Sequence, residues 1–392
     1  MRYFYLFILV LFFNSEVNAQ QLSLSEEAEI SIITIGPGPY LYDKFGHSAF
    51  RISDPTNQLD AVYNYGSYDF NTPNFYTKFA RGKLLYQLVV NPYEPFLNHY
   101  KNQNRWVKEQ LLNLNRSEKL ALFSFLRNNA KPENRDYLYD FLYDNCATKI
   151  RDVLKEVVGE NLAYNSDFVS EAYSFRELIQ KNVQANSWGS LGMDVAIGAV
   201  TDRQASAWEY QFLPNYVYEA AATATIDRKG QILQLVTQTN VLYEHSPELE
   251  VKNFFRSPLF VFGILGLMIL FMTYRDFKAN KRSRYLDALL FCITGLIGLF
   301  LALLWWGTDH STTVNNYNLL WAFPFSLLVS FGVARSKPKA WVRRYVVFLL
   351  LMFVLLIIHW ISGVQSFAIG FIPLFLALVV RYFYVQWYLK RL

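Results

Sequence analysis

The segment YLYDFLYDNCATKIRDVLKEVVGE, residues 137–160, is the most informative stretch of the chain. Its first half alternates aromatic and polar residues, which is typical of an extended segment. Its second half has apolar residues at helical spacing, namely Ile150, Val153, Leu154, Val157 and Val158. Asp144 or Asn145 is suited to cap the start of this helix, and Gly159 is suited to end it. The pattern therefore predicts a helix whose first turn contains Cys146.

The position of Cys146 has chemical consequences. The N–H groups and the positive dipole end of a helix start stabilise a thiolate, so a thiol placed there becomes a stronger nucleophile. The same N–H groups can hold the oxyanion that forms when a thiolate attacks a carbonyl group. The alternative interpretation is that Cys146 is a small, buried, apolar side chain, as free cysteines often are.

A thiol nucleophile needs a base, and the stretch FGHSAFRI, residues 45–52, offers His47. Phe50 and Ile52 mark the apolar face of a predicted strand, and His47 falls on the opposite face. The two other histidines of the soluble part lie in a polar helical segment and near the membrane linker, respectively His99 and His245. We therefore predict a centre formed by Cys146 and His47.

The number of cysteines limits which disulfides and metal sites the chain can form. The chain has two cysteines, and the second, Cys292, lies in a hydrophobic run, so Cys146 is predicted to be unpaired. An unpaired thiol is unusual in an exported domain, where cysteines generally form disulfides. The soluble part has no second cysteine and no closely spaced histidines, so we predict no metal site.

Composition predicts a soluble part joined to a membrane part. The chain has 392 residues, of which 53% are hydrophobic and 18% aromatic, which is too apolar for a purely soluble protein of this length. Residues 1–19 contain Arg2, an apolar run and a final Ala19, the pattern of a secretory signal peptide or, if it is not cleaved, of a membrane anchor. We therefore predict a signal peptide at residues 1–19, an exported catalytic domain at residues 20–250 and a membrane domain at residues 251–392.

Five apolar runs in the last third of the chain predict about five transmembrane helices. They lie near residues 258–274, 285–306, 318–334, 345–361 and 367–387. The first and third connecting loops and the C-terminus are rich in Lys and Arg, whereas the other two loops have neither. The positive-inside rule therefore places the C-terminus in the cytoplasm and the N-terminal domain outside. The net charge of +5 then reflects membrane topology, and we predict no nucleic-acid partner.

One outward loop is polar between aromatic residues: WWGTDHSTTVNNYNLLWAFP, residues 305–324. It is either an ordinary interfacial loop with tryptophans at the headgroup level, or a part of the substrate site beneath the soluble domain. On the second interpretation five residues are predicted to contact substrate, two beside the cysteine and three in this loop: Asp144, Asn145, Asp309, His310 and Asn316.

The remaining soluble part alternates between strand and helix patterns. Strands are predicted near residues 28–38, 48–53, 60–66 and 84–90, and helical periodicity covers roughly residues 94–130. A hairpin is predicted around Lys229 and Gly230. The predicted fold class is α+β, followed by an α-helical membrane domain.

Several motifs, in this order, resemble those of a known family. They are FGHSAFRI, YNYGSYDF, YLYDFLYDNCATKIRD, GMDVAIGAVTDR followed by QFLP, and TDHSTTVNNYNLLWAFP. The order of histidine and cysteine resembles the circularly permuted branch of the papain-like NlpC superfamily, including lecithin:retinol acyltransferase-like enzymes. More closely, the whole set is similar to the Bacteroidota lipoprotein N-acyltransferase family called Lnb.

The resemblance implies a permuted papain-like periplasmic domain on a membrane domain of the bacterial inner membrane. It matches His47 and Cys146 to the family's histidine and cysteine. Related enzymes draw the third, orienting residue from the following strand, which offers Asn64, Tyr65 and Asp69, and we choose Asn64.

The activity implied is transfer of a fatty-acyl chain from a membrane phospholipid, through a thioester on the cysteine, to the α-amino group of a diacylated lipoprotein. No cofactor is expected, because conversion of a thioester to an amide is downhill.

Two other functions fit the same thiol less fully. A membrane-anchored cysteine peptidase or amidase acting on peptidoglycan or exported peptides would use water as its second nucleophile, but it does not explain the membrane spans. A non-catalytic sensor or scaffold would simply bury Cys146.

Overall fold

The computed structural model describes residues 23–246 and 253–391. An N-terminal domain of mixed α and β structure is followed by a helical domain, so the predicted fold class is confirmed. The predicted signal peptide, residues 1–19, and the predicted boundary after residue 250 lie outside the described residues.

The N-terminal domain contains ten strands and eight α-helices in its described part. The strands are β1 (Glu29–Ile35), β2 (His47–Asp54), β3 (Leu59–Ser67), β4 (Leu85–Pro92), β5 (Val107–Leu112), β6 (Asp136–Leu138), β7 (Leu162–Ala163), β8 (Thr225–Arg228), β9 (Gln231–Gln234) and β10 (Val236–Tyr243). The helices are α1 (Phe75–Ala80), α2 (Tyr93–Asn102), α3 (Arg116–Asn129), α4 (Cys146–Val158), α5 (Phe175–Asn182), α6 (Trp188–Ala196), α7 (Ala207–Tyr210) and α8 (Pro214–Thr223).

Seven strands form one antiparallel sheet in the order β10-β5-β1-β2-β3-β4-β6. Its central strands carry alternating apolar residues, so one face is available to bury a helix. Helix α4 packs on this face against β2 and β3. Its buried Ile150 and Leu154 share a core with Ile32, Phe50 and Tyr63 of the sheet. The cysteine helix is thereby held next to the histidine strand.

The structure corrects the helical segment predicted at residues 94–130. Two helices, α2 and α3, are present there, but strand β5 lies between them. This strand pairs with β1 on one side and β10 on the other, so its backbone hydrogen bonds come from distant segments. Tertiary pairing therefore overrides the local periodicity. The hairpin predicted around Lys229 and Gly230 is confirmed and joins β8 to β9.

The helical domain contains α9 (Pro258–Lys278), α10 (Arg284–Gly307), α11 (Ser326–Val333), α12 (Ala340–Ile361) and α13 (Ile372–Lys390). Four segments of the described chain are long and apolar enough to cross a membrane: Pro258–Lys278, Arg284–Gly307, Ala340–Ile361 and Ile369–Lys390. They correspond to the first, second, fourth and fifth predicted runs.

The third predicted run, residues 318–334, is not among these four segments. Its α-helical part, α11, has eight residues and begins shortly after Pro324, which cannot continue a helix from the preceding 3-10 turn. Residues 313–333 run along α10: the hydroxyl of Thr313 donates to the carbonyl of Leu304 near the end of that helix, and the carbonyl of Val333 accepts from Arg282 just before its start.

A buried ionic cluster joins the first, second and last of the long helices. Arg381 of α13 is fully buried and donates to Asp287 of α10 at 2.7 Å and to Asp276 of α9 at 2.8 Å. Arg282 donates to the same Asp287 at 2.9 Å. Removing one member would leave an unpaired buried charge, so the cluster fixes the relative positions of these helices.

The N-terminal domain rests directly on the ends of the membrane helices. The indole of Trp188 in α6 donates to the carbonyl of Arg256 at 2.9 Å, and Asn186 accepts from the backbone of Leu259 at 3.0 Å. After the end of α6 in the chain, the carboxylate of Asp202 accepts from the backbone of Ser366 at 2.8 Å. These hydrogen bonds hold α6 at the junction between the two domains.

Candidate active site

The start of helix α4 is fixed by Asn145. Its side-chain oxygen accepts from the backbone N–H groups of Ala147 at 2.7 Å and Thr148 at 3.0 Å. Its side-chain NH2 donates to the carbonyls of Phe141 at 2.7 Å and Phe212 at 2.9 Å. Cys146 is therefore the first residue of a helix whose beginning cannot easily move.

His47 and Asn64 lie on neighbouring strands and are joined by a hydrogen bond. The distance between Nε2 of His47 and Oδ1 of Asn64 is 2.5 Å. An amide oxygen only accepts, so this contact requires a proton on Nε2 and leaves Nδ1 as the free base. The imidazole is also close enough to the thiol of Cys146 to exchange a hydrogen bond with it, and each group shifts the pKa of the other. The structure thus brings Cys146, His47 and Asn64 into one connected row.

The charges of this row favour an ion pair. Burial alone would raise the pKa of the Cys146 thiol, but the adjacent imidazole and the backbone N–H groups of Ser48 and Cys146 hold the pKa below its ordinary value of 9.0. Burial would lower the pKa of His47, but the charge of Cys146 and the hydrogen bonds to Cys146 and Asn64 raise it above 6.5. Each group stabilises the charged form of the other.

These shifts predict how the thiol responds to pH. Alkylation by iodoacetamide requires the thiolate, so a lowered pKa moves the midpoint of the rate–pH curve of Cys146 to lower pH. In His47→Ala the burial remains but the imidazole is lost, so we expect the midpoint to move to higher pH. The measurement is made in a Cys292→Ala background, so that one thiol reacts. Coincident curves for the two proteins would contradict the ion pair.

Gly66 leaves a space at the centre of the site. Its φ of +92° lies in the region that favours glycine, within an irregularity of the β3–β4 pairing. A carbon added at Gly66 would lie 3.5 Å from Cβ of Cys146, and 4.0 Å from both Cε1 of His47 and the hydroxyl oxygen of Tyr137. Three reactive groups therefore border one small space that a side chain would fill.

Tyr137 was not predicted as a site residue. Its hydroxyl is buried and has no hydrogen-bond partner among the described residues. Burial raises the pKa of Tyr137 well above its ordinary value of 10.0, and the negative charge of Cys146 raises it further. The hydroxyl therefore keeps its proton and is available to donate. The sequence shows only one aromatic residue among several in an alternating stretch.

Arg105 was also missed, and it lies behind the histidine. Its guanidinium is 4.9 Å from the ring centre of Tyr100, whose ring centre is 6.2 Å from that of His47. The Nε of Arg105 donates to the carbonyl of Gly36 at 2.8 Å. The positive charge lowers the pKa of His47, opposing the effect of Cys146. No sequence pattern distinguishes this arginine from the others.

Two of the predicted substrate contacts are occupied by the protein itself. Asn145 uses both amide hydrogens and its oxygen in the helix cap described above. Asn316 is fully buried; its NH2 donates to the carbonyls of Val195 and Ala196, and its oxygen accepts from Asn318. Because a primary amide has few further hydrogen bonds to offer, we assign both residues to holding the structure.

The other three predicted contacts lie closer to solvent. Asp144 is paired with Lys149 at 2.6 Å beside the cysteine. Asp309 is exposed and 3.5 Å from Lys83, and its backbone N–H donates to the carbonyl of Arg81. His310 packs against Gly82. Asp144 thus lies within the N-terminal domain beside the cysteine, whereas Asp309 and His310 lie against that domain at Arg81 and Gly82.

The outward loop at residues 305–324 touches the segment that leads to the cysteine. The hydroxyl of Ser311 donates to Asp140 at 2.5 Å, and the carbonyl of Thr312 accepts from the backbone of Gly198 at 2.8 Å. The loop is therefore hydrogen-bonded to the N-terminal domain through both a side chain and the backbone. Among residues 23–246 and 253–391, no group of three or more His, Cys, Asp or Glu side chains is placed to hold a metal ion.

Comparison with known proteins gives two matches that together cover most of the chain. Residues 16–181 match the family model of the Lnb N-terminal periplasmic domain. Residues 250–392 match the family model of the Lnb transmembrane domain. No curated protein and no solved structure gives a significant match.

Proposed function

Because the chain belongs to the Lnb family, we propose that it is a lipoprotein N-acyltransferase whose nucleophile is the thiol of Cys146. The observation that carries this proposal is the placement of the Cys146 thiol, at a fixed helix start, beside the His47 imidazole that is hydrogen-bonded to Asn64. A thiol activated in this way attacks carbonyl carbon readily. The domain rests on membrane helices, so the carbonyl compound is proposed to be an ester of a membrane phospholipid.

In the first half-reaction the thiol proton passes to Nδ1 of His47, and the sulfur attacks the carbonyl carbon of the fatty-acyl ester. The tetrahedral intermediate then breaks its bond to the glycerol oxygen. The imidazolium returns the proton to that oxygen, so a lysophospholipid leaves and the acyl chain stays on Cys146 as a thioester. Asn64 holds the imidazole in the tautomer that this step requires.

In the second half-reaction the free α-amino group of a diacylglyceryl-cysteine lipoprotein attacks the thioester. His47 removes a proton from the amine, the carbon–sulfur bond breaks, and the product is an amide. The proton that His47 took from the amine stays with the Cys146–His47 pair. The enzyme is thereby regenerated without a nucleotide or other cofactor. His47 therefore accepts a proton from the nucleophile in both half-reactions, first from the thiol and then from the amine.

Two donors are proposed for the oxyanion. We expected the N–H groups of the first helical turn to hold it, but those of Ala147 and Thr148 are bonded to Asn145. The N–H of Cys146 remains, and it helps to lower the pKa of the Cys146 thiol. The hydroxyl of Tyr137 is the second donor, because it is unpartnered and borders the same space as the thiol.

Tyr137→Phe is expected to lower kcat for acyl transfer by about 10²-fold, the usual effect of removing one oxyanion donor. The control is Tyr164→Phe, because the Tyr164 hydroxyl is likewise buried and unpartnered among the described residues but does not border Gly66. The reactivity of Cys146 toward iodoacetamide, which involves no carbonyl oxyanion, should not fall in either variant. Equal activity of the two variants would remove Tyr137 from the mechanism.

The charges of the membrane-domain loops indicate on which side of the membrane the proposed reaction takes place. The loops that precede α10 and α12 carry Lys and Arg. Residues 308–316, which contact the N-terminal domain, carry neither. The positive-inside rule therefore supports an inner-membrane location with a cytoplasmic C-terminus and the N-terminal domain at the outer face. Both proposed substrates are lipids held in that same face, so encounter occurs within a surface and does not require diffusion through water.

The test uses the purified full chain in phospholipid nanodiscs. We expect mass spectrometry to find a hydroxylamine-sensitive acyl group on the peptide that contains Cys146. Adding a synthetic diacylglyceryl-cysteine lipopeptide should remove this adduct and yield the N-acylated lipopeptide. Absence of any acyl adduct would exclude the covalent route, and cleavage of muropeptides by the same thiol would favour an amidase.

A further inference from the structure

The membrane domain contains a cleft between its first two helices. Helix α9 packs on α13, whereas α10 packs on α11. The space left between α9 and α10 is a cavity of about 610 Å³, within the range of small-molecule sites. Helices that are joined by a short turn usually pack against each other. The cavity between α9 and α10 therefore indicates that another molecule fills this space.

The lining of the cleft is hydrocarbon. Met268 and Met272 form one wall, Leu289 and Ile293 the other, and Trp321 and Leu378 the back. The hydroxyl of Thr294, a polar group in the lining, is already bonded to the carbonyl of Leu290 in its own helix. The cleft therefore offers nothing to a headgroup, and its occupant is an apolar chain.

The shape of the cleft suits an extended chain. Its α9 wall runs from Phe262 to Met272, which at about 1.5 Å per residue is roughly 15 Å. This is about half of the roughly 30 Å hydrocarbon thickness of a bilayer. Met268 and Leu289 are more than half exposed, so the cleft opens sideways toward the surrounding lipid. A lipid chain can enter from the membrane without passing through water.

The N-terminal domain forms the roof of the cleft. Leu191, Gly192 and Val195 of α6 close its outer end. One turn earlier, Gly189 packs against Leu41, and the neighbouring Asp43 faces Arg105 at 3.9 Å, on the side of His47. Contacts through Leu41, Asp43 and Arg105 thus lead from the roof of the cleft to the side of the site behind His47.

We propose that this cleft binds one acyl chain of the donor phospholipid while its ester is presented to Cys146. The inference rests on the proposed function, since it concerns the substrate of that site. The transferred chain is covalently held through both half-reactions, whereas the lipoprotein is needed only in the second. A dedicated site for the donor chain would keep the thioester in place until the amine arrives.

The test narrows the cleft at its roof. A side chain at Gly192 would meet no atom within 4 Å, so Gly192→Leu projects into the space without moving the backbone. Gly263→Leu is the matched control, because Gly263 is also helical and also open for 4 Å, but it does not line the cleft. Both are compared with the unsubstituted chain in the same nanodiscs.

The first readout does not depend on catalysis. Cys146→Ala protein is irradiated in phosphatidylethanolamine nanodiscs that contain a phospholipid with a diazirine on one acyl chain. We expect labelling of peptides containing Met268 or Ile293, reduced about tenfold or more by Gly192→Leu, as displacement of a few methylene groups predicts, and unchanged by Gly263→Leu. Equal labelling in the two variants would overturn the proposal.

The second readout is the rate at which Cys146 becomes acylated. Gly192→Leu should slow acylation of Cys146 by a long-chain phospholipid, whereas Gly263→Leu should leave the rate unchanged. If acylation is unchanged and only transfer to the lipopeptide falls, the cleft holds the acceptor and the donor assignment is wrong. If no protein is acylated at all, the proposed function fails, and the labelling still decides whether the cleft binds a lipid chain.

Discussion

Replacement of Cys146 by alanine is expected to abolish both the acyl adduct and N-acylation, lowering the rate by about 10⁴-fold or more, as loss of a covalent nucleophile does. The second free cysteine, Cys292, cannot replace it as the nucleophile, because Cys292 lies within membrane helix α10. Cys146→Ser should fail as well, since a hydroxyl is far less acidic than a thiol and the imidazole cannot ionise it to the same extent.

Cys292→Ala is the matched control, since it also removes one half-buried thiol and should retain full activity. In cells that depend on this protein, Cys146→Ala should leave lipoproteins with a free amino terminus, detectable by mass spectrometry of their N-terminal peptides. A Cys146→Ala protein that still transfers an acyl chain would show that the thiol is not the nucleophile.

Gly66→Ala is expected to reduce acylation of Cys146 by about 10²-fold or more, because misplacing a reacting group by one ångström can cost that much. The added methyl would occupy the space bordered by Cys146, His47 and Tyr137, where the tetrahedral carbon is proposed to form. The change also costs folding free energy, about 1–2 kcal/mol, because the position has φ of +92°.

Gly230→Ala separates the two effects. Gly230 has nearly the same φ, +89°, in the exposed β8–β9 turn, and a carbon added there would meet no atom within 4 Å. We expect both variants to lose similar thermal stability, but only Gly66→Ala to lose the adduct. Should Gly230→Ala be equally inactive, backbone strain would explain the result and the space at Gly66 would have no special role.

The parts of the site that sequence could predict are those decided by short-range rules. Alternation in FGHSAFRI places His47 on a strand, and the helical spacing after Asn145 places Cys146 at a helix start. The choice between Asp144 and Asn145 as the cap could not be made from sequence, because both are good caps. The structure selects Asn145, whose NH2 also donates to two carbonyls, which a carboxylate could not do.

The parts that sequence could not predict depend on long-range pairing. Tyr137 faces the thiol because β6 pairs at the edge of the sheet with β4, and nothing in its neighbourhood distinguishes it from Tyr139. Local periodicity predicts a helix where strand β5 lies, because the partners that make it a strand, β1 and β10, lie far away in the chain. The third apolar run is predicted as one helix because hydropathy averages over Pro324, whereas the structure divides it into a 3-10 turn and the short helix α11.

The buried cluster around Arg381 has a consequence for the timing of biosynthesis. Asp287 is made 94 residues before Arg381, which at roughly 5–20 residues per second corresponds to an interval of about 5 to 20 s on the ribosome. Throughout that interval the first two helices of the membrane domain exist without the guanidinium that joins them. We therefore expect nascent chains that stop before Arg381 to remain loosely assembled, and the last helix synthesised to be the one that closes the bundle.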